Sequence, residues 1–141
     1  MIGELATDLI TKLKTVTEFG SAPSRVSLTI GGKTLDPLLE KIEKPACWVI
    51  FDGDTNNSED KNGRCLKNFS YTFIVKVVLD YTNDTDLITV QFPLLETVIS
   101  KIDGTKPNLP SEKWKYVGQT IEEITDKRLV FQQSYTIVGN S

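Results

Sequence analysis

The strongest structural signal in the chain is a long alternating run of side chains from Phe69 to Tyr81. Every second residue of this run is aromatic or aliphatic, without a break, and most residues between them are polar. Because successive side chains of a strand point to opposite faces, this pattern predicts a strand with one buried face. Ile74 and Val78 are apolar residues on the second face. They indicate an outer surface that is partly covered, either by loops or by a neighbouring subunit.

Two stretches have the spacing of amphipathic helices. Between Ile2 and Val16, apolar residues recur every three or four positions, which predicts a helix with one buried stripe. The stretch from Asp84 to Asp103 shows the same period and is followed by Gly104, a residue suited to a left-handed helix end. Pro93 lies inside this second stretch and predicts a kink near its first turns, because proline has no N–H to donate.

Three further segments complete the predicted sheet. Ala46 to Phe51 is continuously apolar, which is typical of a strand covered on both faces. Trp114 to Ile124 and Arg128 to Val138 predict a final hairpin. We therefore predict a single α+β domain across the chain, with an antiparallel four-stranded sheet, two main helices packed on one face, and a long hairpin loop. Weak alternation from Arg25 to Ile30 leaves a short additional strand open.

Composition removes several classes of active site. The 141 residues contain no histidine, which excludes Ser-His-Asp and Cys-His nucleophile arrangements and most zinc sites. The net charge of −3 argues against a protein that grips nucleic acid by neutralising phosphates. Cys47 lies in an apolar run and is interpreted as a buried small hydrophobe, with a bridge to Cys65 left open. No apolar run approaches the roughly 20 residues of a membrane helix, so we expect no membrane contact.

The segment Asp52–Gly63 is the one dense polar cluster and predicts an exposed hairpin loop. Its alternating oxygen-bearing side chains resemble the start of a calcium-binding loop. However, Asn57 occupies the position of the turning glycine, and Gly63 stands where a bidentate glutamate is required. The alternative is a loop that becomes ordered against a partner. The candidate contact residues of this loop are Asp52, Asp54, Asn56, Glu59, Asp60 and Lys61.

Other motifs give little support for an enzyme. Gly31-Gly32-Lys33-Thr34 lacks the upstream glycine of a phosphate-binding loop, and the adjacent Glu122 and Glu123 near a hairpin turn are expected to be solvated. No basic groove accompanies Trp48 or Trp114, so we interpret them as core or interface anchors. We predict no catalytic residues, no metal site and no cofactor.

Four segments, in their order along the chain, resemble the phage tail-terminator (tail-completion) family of lambda-like and Mu-like tails. The first is the N-terminal amphipathic helix, and the second is a Pro-Ala-apolar strand that ends near a glycine. The third is the long alternating strand with the helix that follows, and the fourth is the final pair of strands. These segments are Ile2–Val16, Lys44–Gly53, Phe69–Gly104, and Trp114–Gly118 followed by Arg128–Phe131 and Tyr135.

The resemblance implies a structural virion protein. Members form a ring, usually of six copies, that caps the tail tube at its proper length, stops tube polymerisation and joins the tail to the neck or head connector. The implied partners are other copies of the chain, the tail tube protein and the neck or head connector protein. The implied location is the tail–neck junction of a virion assembled in the host cytoplasm. DNA passes through the pore without specific binding, and an acidic chain suits this role because it repels phosphates.

Within such a ring, Ile74 and Val78 are the candidate subunit contacts, because a closed ring needs a surface that meets the next copy. Three alternatives stay open at the level of sequence. One is another neck or head-completion protein, and the second is a monomeric adaptor or binding domain. The third is a small metal-dependent enzyme that binds calcium through Asp52, Asp54 and Asn56.

Overall fold

The computed structural model describes residues 1–20, 25–29, 45–56 and 68–140. Glu59, Asp60, Lys61 and Cys65 lie outside these ranges, together with most of the predicted hairpin loop. The described elements are, in order, α1 (Ile2–Leu13), a 3₁₀ turn (Thr17–Phe19), β1 (Val26–Thr29), β2 (Ala46–Asn56), β3 (Asn68–Asp80), α2 (Asp84–Asp86), a π-helical segment (Leu87–Gln91), α3 (Phe92–Ile102), β4 (Lys115–Ile124) and β5 (Arg128–Asn140).

The strands form one five-stranded mixed sheet in the order β1-β2-β3-β5-β4. The pairs β2–β3, β3–β5 and β4–β5 are antiparallel, whereas β1 runs parallel to β2 with Val26 opposite Cys47. The α+β class is confirmed, but the prediction of a four-stranded, purely antiparallel sheet is wrong. The fifth strand has only four residues, too few for a clear alternating pattern. Its parallel direction depends on a long-range pairing that no local pattern contains.

Strand β2 is longer than the sequence predicts. The sequence predicts a loop that begins at Asp52, yet the strand continues to Asn56, with Asp54 opposite Tyr71 of β3. The register shifts between Phe51 and Gly53, and Gly53 has φ 118°, a conformation that a residue with a Cβ rarely adopts. The glycine therefore lets the strand bulge and continue through a polar stretch. Asp52, Asp54 and Asn56 consequently belong to a strand rather than to a loop.

Helices α1 and α3 both pack on the same face of the sheet. Their apolar stripes join one core cluster with Phe73, Val75 and Val77 of β3, so the predicted packing of two helices on one face is confirmed. Trp114 is buried in this layer, with its ring edge-on to Phe73 at a centroid distance of 5.7 Å. Its indole N–H donates to Asp8 of α1 at 2.8 Å. The tryptophan thus connects the entry of β4 to the first helix.

The second helical stretch contains a π-helical segment where the sequence predicts a kink. Asn83 caps its beginning by accepting a hydrogen bond from the backbone N–H of Asp86 at 2.8 Å. The N–H of Phe92 donates to the carbonyl of Leu87, five residues back, which is the π-helical pattern. Pro93 follows directly and has no N–H, so the backbone there cannot continue ordinary α-helical bonding.

Candidate functional site

The second face of the sheet, opposite the helices, carries a small apolar cluster. Val78 lies between Ala46 of β2 and Val130 of β5, and with Trp48 these side chains are buried. The exposure of Val78 is 0%, whereas Ile74, opposite Ile50, is half-buried. Of the two predicted subunit contacts, only Ile74 therefore has surface to offer. A charge placed at Val78 would disrupt the fold of a single copy.

Charged residues on the same face connect three strands. The Lys76 ammonium on β3 donates to the Glu122 carboxylate on β4 at 2.7 Å and so spans the intervening strand β5. The Arg128 guanidinium donates to Glu123 at 2.8 Å. The two adjacent glutamates, 36% and 31% exposed, keep contact with water as expected and are also paired with cations. They fasten the edge strand β4 to the rest of the sheet.

Strand β4 and the helical stretch above it expose a group of bulky apolar side chains. Ile121 lies opposite Phe131, and the ring of Phe92 stands edge-on to the same phenylalanine at a centroid distance of 6.3 Å. Ile124 follows on the same face of β4, opposite Leu129, and Ile88 lies about one helical turn before Phe92. We call this group the edge patch; its exposed fractions are Ile88 63%, Phe92 39%, Ile121 53% and Ile124 67%.

A buried polar network lies between α3 and the sheet. Gln133 is fully buried, and its amide N–H groups donate to the carbonyl of Leu95 at 3.1 Å and to the side chain of Gln119 at 3.2 Å. The Tyr135 hydroxyl donates to the Gln133 side-chain oxygen at 2.8 Å. Burial raises the pKa of Tyr135 well above its usual range. Every polar atom of Gln133 is thus engaged in holding α3, β4 and β5 together, and none is directed at a cavity.

Groups that chemistry or metal binding would require are not gathered in the described part of the chain. Burial raises the pKa of the Cys47 thiol far above neutrality, so the sulfur stays protonated and unreactive. Asp52 and Asp54 are exposed, and no group of three or more His, Cys, Asp or Glu side chains within the described ranges could hold a metal ion. None of the helices described there is long and apolar enough to cross a membrane.

Comparison with known proteins finds similarity at the level of solved structures. No protein-family model matches the chain. No curated protein matches it either. Among solved structures, the fold is similar to that of a chain in a structure described as the virion of a native gene transfer agent (GTA) particle. The two chains are 12% identical, the TM-score is 0.59, and the similarity covers 97% of this chain and 96% of the other. Because the similarity extends over nearly the full length of both chains, the fold as a whole is one that also occurs in a virion structure.

Proposed function

We propose that this protein is a structural component of a virion. The observation that carries the proposal is the fold similarity to a chain of a gene transfer agent virion, which extends over nearly the full length of both chains. The buried, satisfied polar network and the inert Cys47 also favour a structural role, because neither offers a group poised for reaction. Because the two chains are only 12% identical, the position of this protein in the particle is argued from its own sequence and structure.

Within that class we propose the tail terminator. In this role, copies of the chain form a ring, with six as the expected number, that caps the tail tube, stops its polymerisation and joins it to the neck or head connector. The order of segments that resembles the tail-terminator family supports this assignment. The net charge of −3 also suits a ring around a channel, because an acidic protein does not retain a passing DNA by its phosphates.

Electron microscopy of the purified protein tests the ring directly. We expect a closed ring with a central opening, and native mass spectrometry should give one dominant mass near six times that of the chain. Particles seen only as single copies at every concentration would contradict the proposal and would favour a monomeric adaptor.

Tails assembled after deletion of the gene for this protein test the terminator role. We expect tail tubes longer than normal and poorly joined to heads, because nothing then stops addition of tube subunits. The protein should also be found on headless tails extracted from normal particles. If it is found on tail-less heads instead, it is a head-completion protein.

The exposed carboxylates of Asp52 and Asp54 are proposed as contacts with the tube or the neck. Both lie beside the Gly53 bulge at the end of β2, so they project from a rigid strand rather than from a loop. Replacing both with lysine should weaken the joining of tails to heads and leave ring formation unchanged. Joining at the normal rate would show that this end of β2 makes no such contact.

A further inference from the structure

The two edges of the sheet, β1 and β4, are different surfaces of one molecule. Four inter-strand steps separate them, which corresponds to about 19 Å. Pairing across the sheet places Val26 of β1 in the same row as Ile121 of β4, through one residue of each intervening strand. The two edges are therefore level with each other, on opposite sides of the molecule. A ring requires two such different surfaces that meet head to tail.

The β4 edge is apolar and has negatively charged side chains beside it. The edge patch exposes roughly 400 Å² of surface, which is within the range of the largest apolar patch on a typical monomer, and such patches are often functional. Asp84 and Asp86 precede Ile88 in the same helical stretch, and the exposed Glu96 lies one turn after Phe92. Carboxylates therefore lie along the helical side of this surface.

The β1 edge exposes a smaller apolar surface and has positively charged side chains beside it. Leu28 has an exposed fraction of 52% and lies on the same face of the sheet as the edge patch. Lys14 is exposed at the end of α1, which packs on β1, and Arg25 immediately precedes the strand. These two cations outnumber Glu18, the one carboxylate among the described residues between 14 and 29. Among the described residues, the net charge near Leu28 is thus positive and opposite in sign to the charge beside the edge patch.

We propose that the edge patch of one copy packs against the β1 edge of the next copy, around Leu28. The occupant is a second copy of this chain because the two edges of one molecule match each other in apolar character, in level and in the sign of the flanking charge. The inference rests on the proposed function, since it identifies the subunit contact of the ring.

The contact is made by side chains rather than by extension of the sheet. The β4–β5 register shifts twice, between Tyr116 and Gly118 and between Ile121 and Glu123. Such bulges bend an edge strand and prevent another strand from pairing along its length. Apolar side chains of β4 and α3 are then the groups that remain available to a neighbour.

Two complementary variants test this arrangement. Ile124→Asp damages only the edge patch, and Leu28→Asp damages only the β1 edge. Each alone should raise the dissociation constant of the contact by at least about 30-fold and give single copies in sedimentation and native mass spectrometry. Mixed in equal amounts, they should form a dimer of one copy of each and nothing larger, because only one intact pair of surfaces is then present.

Thr120→Asp is the matched control, because Thr120 is exposed on the opposite face of the same strand. It should form rings like the unmodified protein, and all three variants should keep the unmodified protein's circular dichroism spectrum. Suppose that the unmodified protein forms rings and that Ile124→Asp or Leu28→Asp forms them equally well. The subunit contact then lies elsewhere, and the inference fails while the proposed ring function stands. A mixture that stays as single copies also overturns it. If the unmodified protein itself stays a single copy, the proposed ring function fails.

Discussion

β3 and β4 belong to the same sheet but have opposite environments. From Phe69 to Asp80, every side chain of β3 is buried or half-buried, whereas no side chain of β4 is buried. β3 pairs with β2 and β5 on its two sides, and β4 pairs only with β5. Yet β4 carries Val117, Ile121 and Ile124, all more than half exposed. Burial within one copy explains the sequence of β3 but leaves the apolar residues of β4 without a role.

This difference separates residues that hold the fold from residues that are free to serve assembly. A central strand is constrained on both faces, because helices cover one and the Trp48 cluster fills part of the other. An edge strand has to avoid indiscriminate pairing, and here two bulges and the charged Lys115, Glu122 and Glu123 do so. Exposed isoleucines retained on such a protected edge are better explained by a specific contact than by folding.

The largest expected difference between the two strands comes from placing a charge on each of them in turn. Val78→Asp should unfold the single copy, at a cost above about 4 kcal/mol, because the carboxylate is buried among apolar side chains without a partner. Ile121→Asp should cost much less, about 1 to 2 kcal/mol, because that side chain is already half in water and loses only its remaining burial and its preference for a strand. Urea unfolding followed by circular dichroism measures both. A folded Val78→Asp protein of normal stability would contradict the described burial.

A smaller loss is expected from the polar network that joins the two regions. Gln133→Leu removes the acceptor of the Tyr135 hydroxyl and the donor to the Leu95 carbonyl, both in a buried layer. We expect a loss of about 2 to 3 kcal/mol, since buried polar groups are then left unpaired. The matched control is Gln132→Leu, the half-buried neighbour on the other face, which should cost less than about 1 kcal/mol. Equal losses for the two variants would mean that the network contributes nothing special.

Much of this architecture could be predicted from sequence, for a physical reason. The alternation through Phe69 to Tyr81 and the stripes of both helices follow from burial of one face, which leaves a local periodic trace. The predicted hairpin of Trp114 to Ile124 and Arg128 to Val138 implies a turn between Ile124 and Arg128, and the structure has Thr125 there, bonded to the backbone of Arg128. The sequence therefore predicts those features that depend on the burial of one face of a single helix or strand.

Features that depend on distant partners could not be found in this way. The parallel pairing of β1, the pairing of Glu122 with Lys76, and the complete burial of Val78 each require strands far apart in sequence. The continuation of β2 beyond Phe51 depends on the bulge at Gly53 and on the partner strand, which outweigh a polar composition typical of loops. The edge patch had a partial signal in the apolar Ile121 and Ile124, but their exposure follows only from the position of β4 in the strand order.

The ion pair between β3 and β4 gives a third, smaller effect. Glu122→Ala leaves the Lys76 ammonium, 11% exposed, without its carboxylate, and should cost about 1 to 2 kcal/mol. Adding Lys76→Met should recover most of this loss, because the charge that lacked a partner is then gone. Glu122 itself is 36% exposed, so the effect stays below that of a fully buried pair. If the double variant is no more stable than Glu122→Ala, the cost has another origin than the unpaired lysine.

The smallest effect concerns alkaline pH and distinguishes the buried centre of the sheet from its wet edge. Burial raises the pKa of Tyr135 above the 10.0 of an exposed tyrosine, so the unfolded chain loses this proton first as the pH rises. The contribution to stability is therefore constant below about pH 10 and is lost above it, with a slope of up to about 1.4 kcal/mol per pH unit. By pH 10.5 the loss from this group should be about 1 kcal/mol.

Tyr135→Phe should flatten the dependence of urea midpoints on pH between 9.5 and about 11. Tyr116→Phe, at the half-exposed cross-strand partner on β4, should flatten it less, because burial raises the pKa of Tyr116 in a wetter setting. Equal slopes for the two variants would show that Tyr135 on β5 and Tyr116 on β4 are equally accessible to water. The contrast between the centre and the edge of the sheet would then not hold for this pair of residues.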